Sequence, residues 1–170
     1  MTVLVLTGLH GSGKSHLSGI ISSKFGWPVY VKRELLRRLH AESGSSEKWE
    51  SWYRCIYSLD GVDRITRRVI QLLPEQGDLV LDSVHNIVEW RTVRSIRADS
   101  VLAAVVAPAA IRLARNGDED PALDRRRVGY WHGPDGGCLI SECDWCFNGA
   151  AEPETSCTEF GSLLEWLSAR

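Results

Sequence analysis

The residues Gly8-Leu-His-Gly-Ser-Gly-Lys-Ser15 constrain this chain more than any other stretch. They have the spacing G-x-x-x-x-G-K-[ST]. Before them lies a mostly apolar, β-branched run, residues 2–7; after them Leu17, Ile20, Ile21 and Phe25 recur at helical spacing until Gly26. Strand, glycine loop and helix in that order are the context a phosphate-binding loop requires. Gly8, Gly11 and Gly13 permit backbone angles and close approaches that a Cβ would forbid. The N–H groups of the loop at Ser12 and of the helix start as far as His16 then face an anion, helped by the helix dipole. Lys14 is expected to reach the β- and γ-phosphates, and the Ser15 hydroxyl to bind Mg²⁺. The motif predicts a nucleoside triphosphate site taking ATP and Mg²⁺, and leaves open where the phosphate goes.

The rest of the pattern alternates strands and helices. A short strand follows Pro28, then a helix over residues 32–42. A second helix covers residues 45–59, with an approximate capping box at Ser45 and Trp49, Trp52, Tyr53 and Ile56 on one face. A third covers 62–76 and breaks at Pro74 and Gly77. Strands at 78–83 and 100–107 are each followed by a helix, over 88–97 and from Pro108 to Gly117. Residues 144–149 read as a last short strand and 160–170 as a closing helix. Alternation of this kind after a P-loop predicts an α/β, three-layer P-loop NTPase fold, a parallel sheet of about five strands with helices on both faces. With 170 residues, 44% hydrophobic and 25% charged, the chain is expected to be one domain with a real core.

Charge and composition narrow the partners. A net charge of −2 and a pI near 6.2 disfavour nucleic acid as a bulk partner, while a local basic patch stays open. No apolar run approaches the roughly 18 residues of a membrane span, and the first residues read as a strand rather than a signal peptide. Five cysteines, an odd number, fit reduced thiols in a cytoplasm. Cys138, Cys143, Cys146 and Cys157, with His132 nearby, invite a zinc reading, but the second close-spaced ligand pair of a tetrahedral site is missing. A Cys146 inside a strand is expected to act as a small hydrophobe.

Several further residues carry chemistry. Glu34-Leu-Leu-Arg37 follows the second strand, and Arg37 has a planar fork suited to phosphate, although Lys32, Arg33 and Arg38 also allow a solvated basic face. Asp82 ends a buried parallel strand, where ligands of such sheets bind, and could hold Mg²⁺ or cap the next helix. Arg112 and Arg115 lie three apart on one helix and so share a face. Arg125, Arg126 and Arg127 follow an acidic segment.

Taken in order, the P-loop, "ELLR", "VLDS" and the R-x-x-R helix before an arginine-rich stretch resemble the nucleoside monophosphate kinase group, which includes adenylate kinase-like and dephospho-coenzyme A kinase-like enzymes. The resemblance implies an acceptor-binding helical segment at about 32–60, with Arg37 on the acceptor's phosphate. It also implies Asp82 on Mg²⁺, and a lid at about 116–137 whose arginines, with Arg112 and Arg115, neutralise the transferring phosphoryl group. It implies ATP transfer to a small-molecule acceptor, a nucleotide in the first instance. The chain departs from the group at "SVHN", where His85 and Asn86 stand in place of a second phosphate-binding arginine. That departure keeps a hydroxyl acceptor open, with Glu34 as general base and His85 against a base or sugar. A non-catalytic nucleotide-binding module is the third class.

Overall fold

The computed structural model describes residues 1–59, 61–117, 122, 125 and 136–170. Among these, five strands form one parallel sheet: β1 (Val3–Thr7), β2 (Val29–Val31), β3 (Leu79–Asp82), β4 (Ser100–Val106) and β5 (Trp145–Asn148), in the spatial order β2-β3-β1-β4-β5. The helices are α1 (Lys14–Phe25), α2 (Lys32–Glu42), α3 (Trp49–Leu59), α4 (Gly61–Ile70), α5 (Ile87–Ile96), α6 (Ala109–Asn116), α7 (Gly136–Ser141) and α8 (Pro153–Ser168). The expected fold is the observed one.

The central strands are apolar on both faces because both faces are covered. Leu4, Leu6, Val80 and Val101 pack with Ile21 of α1 and Phe160 and Leu163 of α8. Val3, Val5, Leu79 and Leu81 pack with helices α2 to α5, including Trp52, Ile65 and the fully buried Trp90. Register places Leu6 and Val31 on either side of Asp82, and Thr7 beside Ala104. The carboxyl ends of β1, β2, β3 and β4 therefore converge on the loop that follows β1.

Three element boundaries differ from the sequence expectation. The closing helix begins at Pro153 rather than near Phe160: Pro is favoured at a first helical position, but the polar run Glu154–Glu159 carries no apolar period to reveal it. The third helix ends at Ile70, and α3 starts at Trp49, because Ser45 Oγ accepts from Glu47 N (3.2 Å) in a local turn instead of capping. Helix α7 lies partly within the stretch read as a polar lid. Cys146 is in β5 as expected but exposed: β5 is an edge strand, and only Phe147 of its four residues is buried. Among the described residues no helix is long and apolar enough to cross a membrane.

Candidate active site

The loop between β1 and α1 is held by its own backbone. Ser12 N donates to Leu9 O (3.2 Å) and Leu17 N to Gly13 O (2.9 Å). Gly13 caps α1 with φ 100°, and a Cβ there would lie 2.6 Å from Gly149 O. Only glycine lets the chain enter the helix at this point.

Lys14 Nζ curls back over the loop, donating to Gly8 O (2.8 Å) and Leu9 O (3.0 Å). Burial lowers its pKa, against the pull of Asp82. Ser15 Oγ donates to Asp82 Oδ2 (3.3 Å), although 67 residues separate them. Burial raises the Asp82 pKa; Lys14, hydrogen bonds from Ser15 and Ser83, and Lys32 oppose it. The helix-cap reading of Asp82 does not hold, because Asn86 caps α5, its Oδ1 accepting from Glu89 N (2.9 Å). A hydroxyl and a carboxylate side by side, next to an ammonium and a glycine cradle, suit Mg²⁺ and a polyphosphate: oxygen donors for the hard cation, N–H groups and Lys14 for the anion.

The basic helix face expected after β2 divides. Lys32 is buried and donates to Glu89 Oε1 (2.8 Å), and Glu89, also buried, accepts from His85 N through Oε2 (2.6 Å). A residue pair with no mark of burial in the sequence thus fixes the loop after β3. His85 Nε2 lies 3.3 Å from Ser83 Oγ. Burial above all, then Lys32, Lys14 and Arg33, hold its pKa well below the usual value, so the imidazole is neutral at pH 7. Glu34 and Arg37 are exposed on α2, and the Arg37 guanidinium lies 5.8 Å over the Trp49 ring. His16 is exposed on α1.

Arg112 and Arg115 share a helix but not an environment. Arg112 is buried and its Nε donates to Ala107 O (3.2 Å). Arg115 is exposed, with Nη1 donating to Gly149 O (2.6 Å) and Gly11 O (3.4 Å), so it ties the P-loop to the turn after β5. That turn, "NG" between a strand and a helix, carries no phosphate-binding pattern of its own in the sequence. Arg91, the first arginine after "SVHN", pairs with Glu142 (2.6 Å) at the surface. Arg125 is exposed; Arg126 and Arg127 lie outside the described residues, as does the bulk of the expected lid. Among the described residues no three His, Cys, Asp or Glu side chains group as a metal site. Cys143 Sγ donates to Leu139 O (3.5 Å), and burial pushes its thiol up to about 11.

Two hollows flank the loop. An open cleft of about 290 Å³ runs between α1 and β2, past Ser15 and Asp82. A cavity of about 260 Å³ lies on the other side, between the ends of β1 and β4, His85 and α7.

The strand order and the glycine cradle after β1, with the Ser15–Asp82 pair beside it, define a P-loop fold. No protein-family model and no curated protein matches the chain. Solved structures do: shikimate kinase from Aquifex aeolicus is similar over 99% of both chains, at 16% identity and TM-score 0.63. Shikimate kinase from Acinetobacter baumannii, in complex with shikimate, is similar over 96% of this chain and 93% of its own, at 10% identity and TM-score 0.65. At such identities the likeness is one of fold, and the resemblance to nucleoside monophosphate kinases stands at that same level.

Proposed function

We propose that the chain is an ATP-dependent kinase that moves the γ-phosphoryl group of ATP to a hydroxyl of a small molecule. The observation that carries the reading is the Ser15–Asp82 contact (3.3 Å) beside Lys14 at the carboxyl edge of the sheet. Ser15 and Asp82 would hold Mg²⁺, which when bound offsets charge on the phosphates. Gly8, Gly11, Ser12, Gly13 and His16 belong to the cradle, and Arg115 to the nucleotide side. Arg112 and Arg125 to Arg127 are proposed to offset phosphoryl charge. In the reaction the acceptor oxygen bonds to the γ-phosphorus and the bond to the β,γ-bridging oxygen breaks. ADP leaves with that electron pair, and the hydroxyl proton passes to Glu34 and on to water.

Three points favour a hydroxyl over a phosphate acceptor. Arg37 is drawn onto Trp49. After Asp82 the chain offers a neutral imidazole and an amide already used as a cap. One of the similar structures holds shikimate, a small hydroxylated acid and not a nucleotide.

The test is ADP release with ATP and Mg²⁺ across nucleoside monophosphates, nucleosides and small alcohols, in the parent and two variants. For a hydroxyl acceptor, Glu34→Gln lowers kcat by about 10²–10⁴ and removes the acidic limb of the pH profile, while Arg37→Ala leaves kcat near the parent. Turnover of nucleoside monophosphates, with a raised KM in Arg37→Ala, would establish the phosphate reading instead. ATP binding without turnover under any acceptor would leave the non-catalytic module.

A further inference from the structure

The start of α5 departs from the usual way a helix takes over from a loop. Asn86 caps it, Oδ1 accepting from Glu89 N (2.9 Å), and Glu89 stands three residues on, where a capping box places an acid. In such a box the acid reaches back to the N–H of the cap residue. Glu89 Oε2 instead accepts from His85 N (2.6 Å), one residue earlier, and Oε1 accepts from Lys32 of another helix (2.8 Å). Glu89 is 1% exposed and Lys32 6% exposed, so both charges are taken out of water. A buried ion pair seldom stabilises a fold more than apolar side chains of similar volume would. What this pair does supply is a fixed geometry for the backbone it holds.

That backbone leads to the proposed Mg²⁺ ligand. His85 Nε2 lies 3.3 Å from Ser83 Oγ, and Ser83 hydrogen-bonds the Asp82 carboxylate. Val84 N donates to Leu6 O (3.0 Å), which ties the middle of the loop to β1. Lys32 directly follows Val31, the residue paired with Asp82 across β2 and β3. The path from Glu89 thus ends on the carboxylate that Ser15 Oγ meets at 3.3 Å.

We infer that Glu89 is a positioning residue: fixed by Lys32 and acting through His85 and Ser83, it aims the Asp82 carboxylate at the Mg²⁺ of the nucleotide. The inference rests on the kinase reading and deepens it. Mg²⁺ is small and demands near-ideal octahedral geometry, so a carboxylate that holds it has little freedom of direction. The groups that hydrogen-bond such a ligand therefore decide how well the metal binds.

The experiment uses the full chain and isothermal titration calorimetry of ATP, in chelator and with Mg²⁺, so that it reads binding and not turnover. Lys32→Met with Glu89→Leu removes one charge of each sign, so the net field at Asp82 changes little and any effect reports geometry. This double variant is expected to unfold at a urea concentration close to the parent's and to bind ATP in chelator as the parent does. The gain in ATP affinity that Mg²⁺ confers should fall by about tenfold or more, toward that of Asp82→Asn, the scale of loss when the outer partner of a metal ligand is removed. Glu89→Gln keeps the shape but has one acceptor oxygen for two donors. It should lose Mg²⁺ gain in the same direction, and it decides the matter if the double variant does not fold. The parent's full Mg²⁺ gain in the deciding variant would show a merely structural pair, overturning the inference and leaving the kinase reading standing. Equal loss of ATP affinity in chelator and with Mg²⁺ overturns it too, since the pair would then shape the whole loop rather than aim one carboxylate. A parent that does not bind ATP, or that gains nothing from Mg²⁺, overturns both.

Discussion

Lys14 donates to two carbonyls of its own loop, in surroundings whose burial disfavours its charge. A triphosphate would relieve that cost, as the role proposed for Lys14 requires. Lys14→Ala is expected to cut turnover by more than about 10²-fold, ~3 kcal/mol of lost electrostatic stabilisation, with no fall in the unfolding temperature. Normal turnover would remove the catalytic reading of the loop. Asp82 is subject to the same conflict with opposite sign. Its folded pKa is raised by burial above the unfolded value of about 3.9. Its contribution to stability is therefore most favourable while it is protonated, below that value, and is lost as pH rises through the folded pKa. Asp82→Asn does not titrate, so without Mg²⁺ its unfolding temperature should match the parent's near pH 3.5 and exceed it increasingly toward pH 7. A parent more stable than Asp82→Asn at pH 7 in chelator would contradict this account.

At the scale of elements, the Lys32–Glu89 pair joins the first turn of α2 to the first turn of α5. Both side chains are buried, and Glu89 also holds the backbone of His85. Lys32→Met leaves an uncompensated buried carboxylate and is expected to cost about 3–5 kcal/mol by chemical denaturation. Lys32→Met with Glu89→Leu should recover most of it; a single variant as stable as the parent would show that the pair is not needed. These residues also mark what the sequence conceals. The P-loop and the strands were legible because each is written locally, in spacing or in an apolar run. Asp82 was legible as the end of such a run. Lys32 was not, since a lysine beside Arg33, Arg37 and Arg38 has no local mark of burial; its partner lies 57 residues away. Gly149 and Arg115 meet across the molecule and likewise leave no trace within a window of a few residues.

For the whole molecule, the proposed site for ATP with Mg²⁺ lies at the junction of four strand ends, and binding there should stabilise the chain globally. At a hundred times its Kd it would add ~2.7 kcal/mol, roughly 5–11 °C in unfolding temperature for a chain of this size. Differential scanning calorimetry should show the Mg²⁺-dependent part of that shift disappear in Asp82→Asn, and persistence of the full shift would detach Asp82 from the metal. The Arg115 bridge has a consequence in time. It joins Gly11 to residues 104 and 138 positions later, while β5 docks on β4 to bring Gly149 into place. Contacts so distant in the chain form late, because loop closure has to precede them. The cradle after β1 is thus finished only once Gly149, 138 positions after Gly11, has been made and docked, and a nascent chain shorter than that lacks the completed loop.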